Sequence, residues 1–380
     1  MILYLSNATH YSVYNEYFKQ GKINGGYQMQ KFNSCMIKSL SSQEGVIAVS
    51  PLPYNNVKAE RFEREIDGVK YIAIKNTTGK LHKILNVLNL IKEGKKIIKN
   101  KKPTAIICDE IAISPRLACK YLGKKYNIQT IGIITDFPGM LSVNEKDRLK
   151  GIKSMQKFDK YILLTEQMNS IVNPCNKSYV VIEGVCDSTL PMLYPKNDKK
   201  IIMYTGSLWE NNAGIEYLVK GFLKANIENA ELHFYGTGKL VDWLKEIEKK
   251  NQNVKYKGCV TNDEIVKLQT EATLLVNPRP SNEEFCKYSF PSKTIEYMLS
   301  GTPVLMTKLP GVPKEYFNYV YMIDKEDADG VCNALKEIFS KSEEELKEFG
   351  LQARNFIWKN KNPNKQGEKI VKILRENKVK

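Results

Sequence analysis

The sequence predicts an α/β protein of two doubly wound, Rossmann-like domains facing each other across a cleft. Three observations predict it. Short apolar runs alternate with amphipathic segments along most of the chain, the pattern of strand–helix–strand units on parallel sheets. The alternation stops at CDSTLPMLYPKNDKK (residues 186–200), which has two prolines and no periodicity, and then restarts. Finally, 380 residues suffice for two separate cores. The expected organisation is an N-terminal domain over 1–190, a linker over 191–200, a second domain over 201–355 and a C-terminal helical segment over 356–380.

In the first domain the strand candidates are MILYLS, GVIAVS, YIAI, TAIICD, TIGIIT, YILLT and YVVIEG. Between them, residues 81–99 place Leu81, Ile84, Leu85, Leu88 and Ile91 on one helical face, and residues 112–126 form a second helix. After the linker come the strand IIMYTG, a helix near 214–226, the strand ELHFYGTG and a helix near 239–250. VKYKG and TLLVNP follow, then a helix from about 291 to 300, then TPVLMT and YVYMI. The acids of DKEDAD (324–329) open a helix, so capping explains them better than metal binding. Beyond residue 340 the chain is helical and basic, and the last helix has Ile370, Ile373 and Leu374 on one side, in need of a partner such as the N-terminal domain. In open parallel sheets ligands bind beyond the carboxyl ends of the strands, which makes the cleft the expected site.

Composition narrows the function classes. No basic leader precedes a long apolar stretch, and no apolar run approaches a spanning helix, so the expected location is cytoplasmic, with at most peripheral contact at the inner face of the membrane. Eight cysteines form no C-x-x-C pair, and three histidines add no ligand spacing, so neither a metal site nor a disulfide framework is expected. The formal charge of +16 suits either polyanionic partners or a solvated lysine-rich surface. No nucleic-acid-binding signature accompanies it, and no nucleic-acid partner is expected. The basic end of the 81–99 helix, KEGKKIIKNKK, is either a solvated face or a face for anionic lipid.

The densest punctuation lies in YSFPSKTIEYMLSGTPVL (288–305). Ile295, Met298 and Leu299 fall at i, i+3 and i+4. Pro291 suits a first helical turn, and Gly301 and Pro303 end the helix. The N-terminus of such a helix, around Ser292, attracts anions, and Lys293 adds a full charge. Glu296 sits about one turn on, roughly 5 Å along the axis, where it either accepts two hydrogen bonds from a ribose diol or is a solvated surface acid. Phosphate at the helix tip and a diol one turn away describe a nucleotide diphosphate.

This stretch resembles the signature of retaining glycosyltransferases of the GT-B fold, broadly glycosyltransferase family 4 of the bacterial polysaccharide biosynthesis type. That family carries two glutamates eight positions apart, followed by a small residue, Pro and Val. Here Glu296 and YMLSGTPV match the second half. The resemblance covers most of 201–315, with YTGSL, HFYGTG, YKGCVTNDEIVKL and LLVNP in family order, while IITDFPGML and YILLTEQM are similar in the first half. It departs in two places. Tyr288 stands where the first glutamate is expected, with Glu283 and Glu284 nearby. Ser207 and Ala213 stand where the glycine-rich loop normally carries cations for the diphosphate. Arg279, Lys287 and Lys293 are the candidate replacements. The resemblance also implies that Gly206 lets main chain approach a phosphate, and that Gly236 lies near the base. Asp136, just past an apolar strand, either binds and helps deprotonate an acceptor hydroxyl or is a turn aspartate. Glu110, Asn7 and His10 also stand at strand ends.

The expected function is transfer of a sugar from a nucleotide-diphosphate donor to a saccharide or lipid-linked saccharide, with retention, in cell-surface polysaccharide synthesis. The expected site comprises Asp136 and Glu284 as catalytic carboxylates, and Gly206, Ser207, Gly236, Arg279, Lys287, Ser292, Lys293 and Glu296 around the donor, with no metal and no resident cofactor. A sugar-nucleotide epimerase of the same architecture and an inactive GT-B partner subunit are the alternatives.

Overall fold

The structure, a computed structural model, describes residues 1–23, 27–137, 144–186, 199–208 and 213–376. The linker expected at 191–200 lies, as far as residue 198, outside the described residues. So do 138–143, which follow Asp136, and 209–212 of the loop after YTGSL. The chain divides into two units, one of residues 1–187 with 361–380 and one of 188–360.

The first unit runs β1 (Ile2–Leu5), α1 (Tyr11–Lys19), α2 (Tyr27–Ser41), β2 (Val46–Ser50), β3 (Phe62–Ile66), β4 (Val69–Ala73), α3 (His82–Lys101) and β5 (Ala105–Asp109). It continues with α4 (Ile113–Tyr126), β6 (Gln129–Ile134), α5 (Glu145–Met155), β7 (Lys160–Leu163), α6 (Asn169–Val172) and β8 (Tyr179–Val181). The eight-stranded sheet has the order β3-β4-β2-β1-β5-β6-β7-β8. Its central strands are buried on both faces and read as unbroken apolar runs, as parallel strands under helices do. Strand β3 has no such run. It is an exposed, charged edge strand paired antiparallel to β4 through Asp67-Gly68, both at positive φ (51° and 73°), the conformation an Asp-Gly hairpin turn requires.

Helix α3 carries the apolar stripe read from the sequence, but does not bury it. Its face of Leu81, Ile84, Leu85 and Leu88 points to solvent, and the buried side is Asn86, Leu90, Glu93, Gly94, Ile97 and Ile98. Gly94 explains the choice. A Cβ there would lie 2.4 Å from Leu122 Cδ1, so glycine lets Leu122 of α4 pack directly on the α3 backbone. The buried Glu93 is compensated by Arg61, whose Nε and Nη2 donate to its two oxygens at 2.9 and 2.8 Å.

The second unit runs β9 (Lys200–Thr205), α7 (Ala213–Ala225), β10 (Ala230–Tyr235), α8 (Val241–Lys250), β11 (Val254–Tyr256), α9 (Asn262–Glu271) and β12 (Leu274–Asn277). After them come α10 (Lys293–Ser300), β13 (Val304–Thr307), β14 (Tyr321–Ile323), α11 (Ala328–Phe339) and α12 (Glu343–Asn360). All pairings in its six-stranded sheet, ordered β11-β10-β9-β12-β13-β14, are parallel. Its core includes Ile202, Phe222, Phe234 and Val276. Asp327 caps α11 by accepting from Gly330 N at 2.8 Å, the role read for DKEDAD.

The final helix, α13 (Pro363–Arg375), belongs to the first unit. The break falls at 360/361 rather than at 355, because α12 continues to Asn360. α13 lies so close to α2 that a Cβ on Gly367 would meet the Ser39 carbonyl oxygen at 2.1 Å, and it buries Ile370 and Ile373. Lys361 forms a fully buried ion pair with Glu183 at 2.5 Å. Lys160 of β7 donates to the carbonyls of Ile373 and Glu376 at 2.5 and 2.6 Å, satisfying acceptors that a helix end leaves open.

Candidate functional site

In the second unit the chain leaves β9 for β10 and β11 on one side and returns to β12, β13 and β14 on the other. The switch point therefore lies between β9 and β12, where doubly wound sheets take ligands. Gly206 directly follows β9, and Pro278 and Arg279 directly follow β12. The first turn of α7 closes on the latter, because a Cβ on Gly214 would fall 1.6 Å from the Pro278 carbonyl oxygen.

Lys293, at the start of α10, folds onto this point. Its Nζ donates to the Thr205 carbonyl at 2.7 Å and lies 4.3 Å from the centroid of the Tyr204 ring. Gly206 has φ +141°, and a Cβ added there would stand 2.4 Å from the ammonium. The lysine needs the glycine. Burial, and then the charge of Arg279, push Lys293 down to about 8, while Glu296 acts in the opposite direction. Half-buried Glu296 accepts from Gln269 Nε2 at 2.8 Å. Next to it, Tyr297 is fully buried. Its hydroxyl accepts from Thr205 N at 2.8 Å and contacts Thr205 Oγ1 at 2.9 Å, which fixes the end of β9.

Gly236, after β10, has φ +142°, and its Cβ would lie 1.8 Å from the Gly206 carbonyl oxygen. Gly206 N donates to Tyr235 O at 2.8 Å, so the two strand ends touch. The Arg279 guanidinium sits over the Phe285 ring at 4.4 Å, and its Nη1 donates to Ser289 Oγ at 3.3 Å. Its loop is held by Ser281, whose backbone N donates to Glu326 Oε2 at 2.8 Å and whose hydroxyl donates to the other oxygen.

The structure thus gathers Gly206, Gly236, Lys293, Glu296 and Arg279 at one switch point. Glu284 and Lys287 open and close a 3₁₀ turn beside Arg279 and are exposed. Ser292 and Ser207 are exposed, and the Ser292 side chain makes no cap hydrogen bond. Sequence reasoning missed Thr205, Gln269 and Tyr297, which lie inside strand and helix runs where spacing marks nothing.

In the first unit the switch point lies between β1 and β5. A cavity of about 60 Å³ there is lined by Asn7, Tyr14, Gln30, Asn33 and Asp109 among others. Buried Asp109, one residue before the predicted Glu110, accepts from Asn33 Nδ2 at 3.1 Å, and Asn33 accepts from the Tyr4 hydroxyl at 2.6 Å. Burial raises the Asp109 carboxyl. Glu110 is buried against Arg116 at 2.7 Å and is also raised by burial. His10 is the N-cap of α1, accepting from Ser12 N, which is a structural role. Asp136 is exposed after β6 and accepts from Phe137 N at 2.8 Å, the geometry of a turn aspartate. Among the described residues, no group of three or more His, Cys, Asp or Glu side chains is placed to hold a metal ion.

Residues 199–341 match the family Glycosyl transferases group 1. No curated protein sequence matches the chain significantly. Among solved structures, sucrose-phosphate synthase from Thermosynechococcus elongatus is similar over 99% of this chain and 98% of its own, at 15% identity and a TM-score of 0.65. Anabaena Alr3699/HepE in complex with UDP is similar over 98% and 99%, at 12% identity and 0.63. The E. coli trehalose-6-phosphate structure bound with UDP-2-fluoro glucose is similar over 99% of both chains, at 10% identity and 0.69. The chain has the GT-B fold of these structures, and its residues 199–341 are similar to the group 1 glycosyltransferase family.

Proposed function

We propose that the protein moves a sugar from a nucleotide-diphosphate donor, held on the second unit, to a saccharide or lipid-linked saccharide acceptor bound by the first, with retention of configuration. The observation that carries this reading is the Lys293 ammonium lodged against Gly206 at the β9/β12 switch point, one helical turn from Glu296. A partly buried lysine whose pKa is pushed down to about 8 gains from an anion beside it, which favours its charged form. UDP and UDP-2-fluoro glucose in two structures of the same fold support a nucleotide donor.

In this reading the diphosphate lies over Gly206 and Gly236, meets the amides around Ser292, and is neutralised by Lys293 and Arg279, with Lys287 and Ser207 at the rim. Glu296 accepts from the ribose hydroxyls. Glu284 lies toward the donor sugar, and Asp136 takes the acceptor hydroxyl and supports its deprotonation. The bond from the anomeric carbon to the diphosphate oxygen breaks, with the electron pair leaving on the diphosphate. The acceptor oxygen forms the new bond and loses its proton. Preorganised cations at the departing charge supply much of the rate, and no metal or resident cofactor enters the scheme. The setting we favour is cell-surface polysaccharide synthesis on the cytoplasmic side of the membrane.

A panel of UDP-, GDP-, ADP- and TDP-sugars, each incubated with and without oligosaccharide acceptors and analysed by mass spectrometry, tests the reading. Acceptor-dependent glycoside is expected from one donor. Isomerised donor without any acceptor would establish the epimerase instead, and failure to bind any nucleotide would leave an inactive partner subunit.

A further inference from the structure

We propose that the outward faces of α3 and α4 form a docking surface for an anionic lipid bilayer. Leu81, at the N-cap of α3, with Ile84 and Leu88 within it, are 63%, 59% and 55% exposed. Ile113 and Leu117 of α4 are 50% and 47% exposed. Isolated exposed leucines need no explanation, but these form one ridge. The two helices begin side by side, with Ser114 Oγ donating to the Lys83 carbonyl at 3.4 Å. They remain together further on, where Lys95 Nζ stands 5.5 Å from the Tyr121 ring centroid and Gly94 meets Leu122.

Both outward faces change character along their length. At 3.6 residues per turn, Lys92, Lys96 and Lys99 continue the stripe of Leu81, Ile84 and Leu88. On α4 the exposed face passes from Ile113 and Leu117 to Lys124 and Lys125. The only acid within either helix, Glu93, is buried against Arg61. The ridge is therefore apolar at one end and of a single positive sign at the other. This complements a surface with an acyl layer beneath anionic headgroups, and exposed Tyr121 and Tyr126 suit the headgroup level. A protein partner would need an extended acidic face beside an apolar one, whereas an anionic bilayer offers both everywhere. Among the described residues no helix is long and apolar enough to cross a membrane, so contact here is by lying on the surface.

An open groove of about 510 Å³ in the same unit is lined by His82, Lys83 and Asn86 at the start of α3 and by Ile111, Ile113 and Ser114 at the start of α4. It opens at the apolar end of the ridge. On the proposed transfer reaction, a bilayer-anchored acceptor would present its saccharide there.

Co-sedimentation of the full chain with vesicles rich in phosphatidylglycerol, and with vesicles of phosphatidylcholine alone, tests the surface without reading sugar transfer. Binding to the anionic vesicles that weakens with salt is expected, with little binding to the neutral ones. The pair Lys96→Gln and Lys99→Gln should lower the partition coefficient by about 30-fold. The pair Ile84→Gln and Leu88→Gln should lower it at least about tenfold, and because both side chains are exposed the melting temperature should hold. The proposal is overturned if wild type stays in the supernatant, if it binds both vesicles equally, or if neither pair changes binding. A homodimer in solution that Ile84→Gln and Leu88→Gln convert to monomer would also overturn it, since the face would then be a protein interface.

Discussion

Replacing Lys293 with methionine should weaken nucleotide binding while strengthening the free protein. A fall from the ordinary lysine value of 10.5 to about 8 means that the buried charged form is disfavoured, relative to water, by roughly 3 kcal/mol. The hydrogen bond to Thr205 O and the Tyr204 ring offset part of this, so methionine should stabilise the free protein by about 1–2 kcal/mol at pH 7. The linkage has a definite sign. Between pH 8 and 10.5 the unfolded chain holds the proton that the folded chain has lost, so wild-type stability gains with rising pH across that window. Below pH 8 the full destabilisation is present, and the Met variant should lack the whole effect. A bound diphosphate favours the ammonium, so wild-type affinity should decline as pH rises above about 8, with proton uptake on binding. Loss of this cation should weaken binding by about 10–100-fold. Calorimetric titration with nucleoside diphosphates in buffers of different ionisation enthalpy, alongside thermal melts from pH 7 to about pH 10, measures both. Equal affinity in wild type and variant, or a variant markedly less stable at pH 7, would refute the reasoning.

Other substitutions probe the supports. Tyr297→Phe removes the partner of Thr205 N and Oγ1 and should cost about 1–3 kcal/mol in thermal denaturation, with weaker nucleotide binding because the end of β9 loosens. Gly236→Ala forces a Cβ into the Gly206 carbonyl at φ +142° and should cost ~3 kcal/mol or more, seen as lost soluble yield or a lowered midpoint in urea. Lys361→Met strands buried Glu183 and should cost about 3–5 kcal/mol, and the double change with Glu183→Leu should recover most of it.

Much of this architecture was legible in the letters. Strands buried on both faces announce themselves as continuous apolar runs, and the helix at 293–300 carries its start and stop in Pro291, Gly301 and Pro303. Gly206, Lys293 and Glu296 were named as candidates because helix ends and strand ends are where anions bind, and the structure brings them together at the β9/β12 switch point. Their tertiary partners were not. Gln269 and Tyr297 sit in helices at positions with no local signature, and only the packing of α9 and α10 on the end of β9 makes them matter. α3 shows the limit of periodicity, which reports a stripe but not the direction it faces. Gly94 and the Arg61–Glu93 pair, both tertiary features, turned the more apolar stripe outward. Strand β3 was passed over because a charged edge strand lacks hydrophobic alternation, although Asp67-Gly68 marked its turn.

The account rests on a diphosphate docking where β9 ends and α10 begins. Hydrogen exchange measured with and without the donor identified by the sugar-nucleotide panel locates that contact directly. Protection is expected to concentrate in the peptides holding Thr205–Ser207 and Pro291–Glu296. Protection confined to other segments, with these two exchanging as in the free protein, would contradict it.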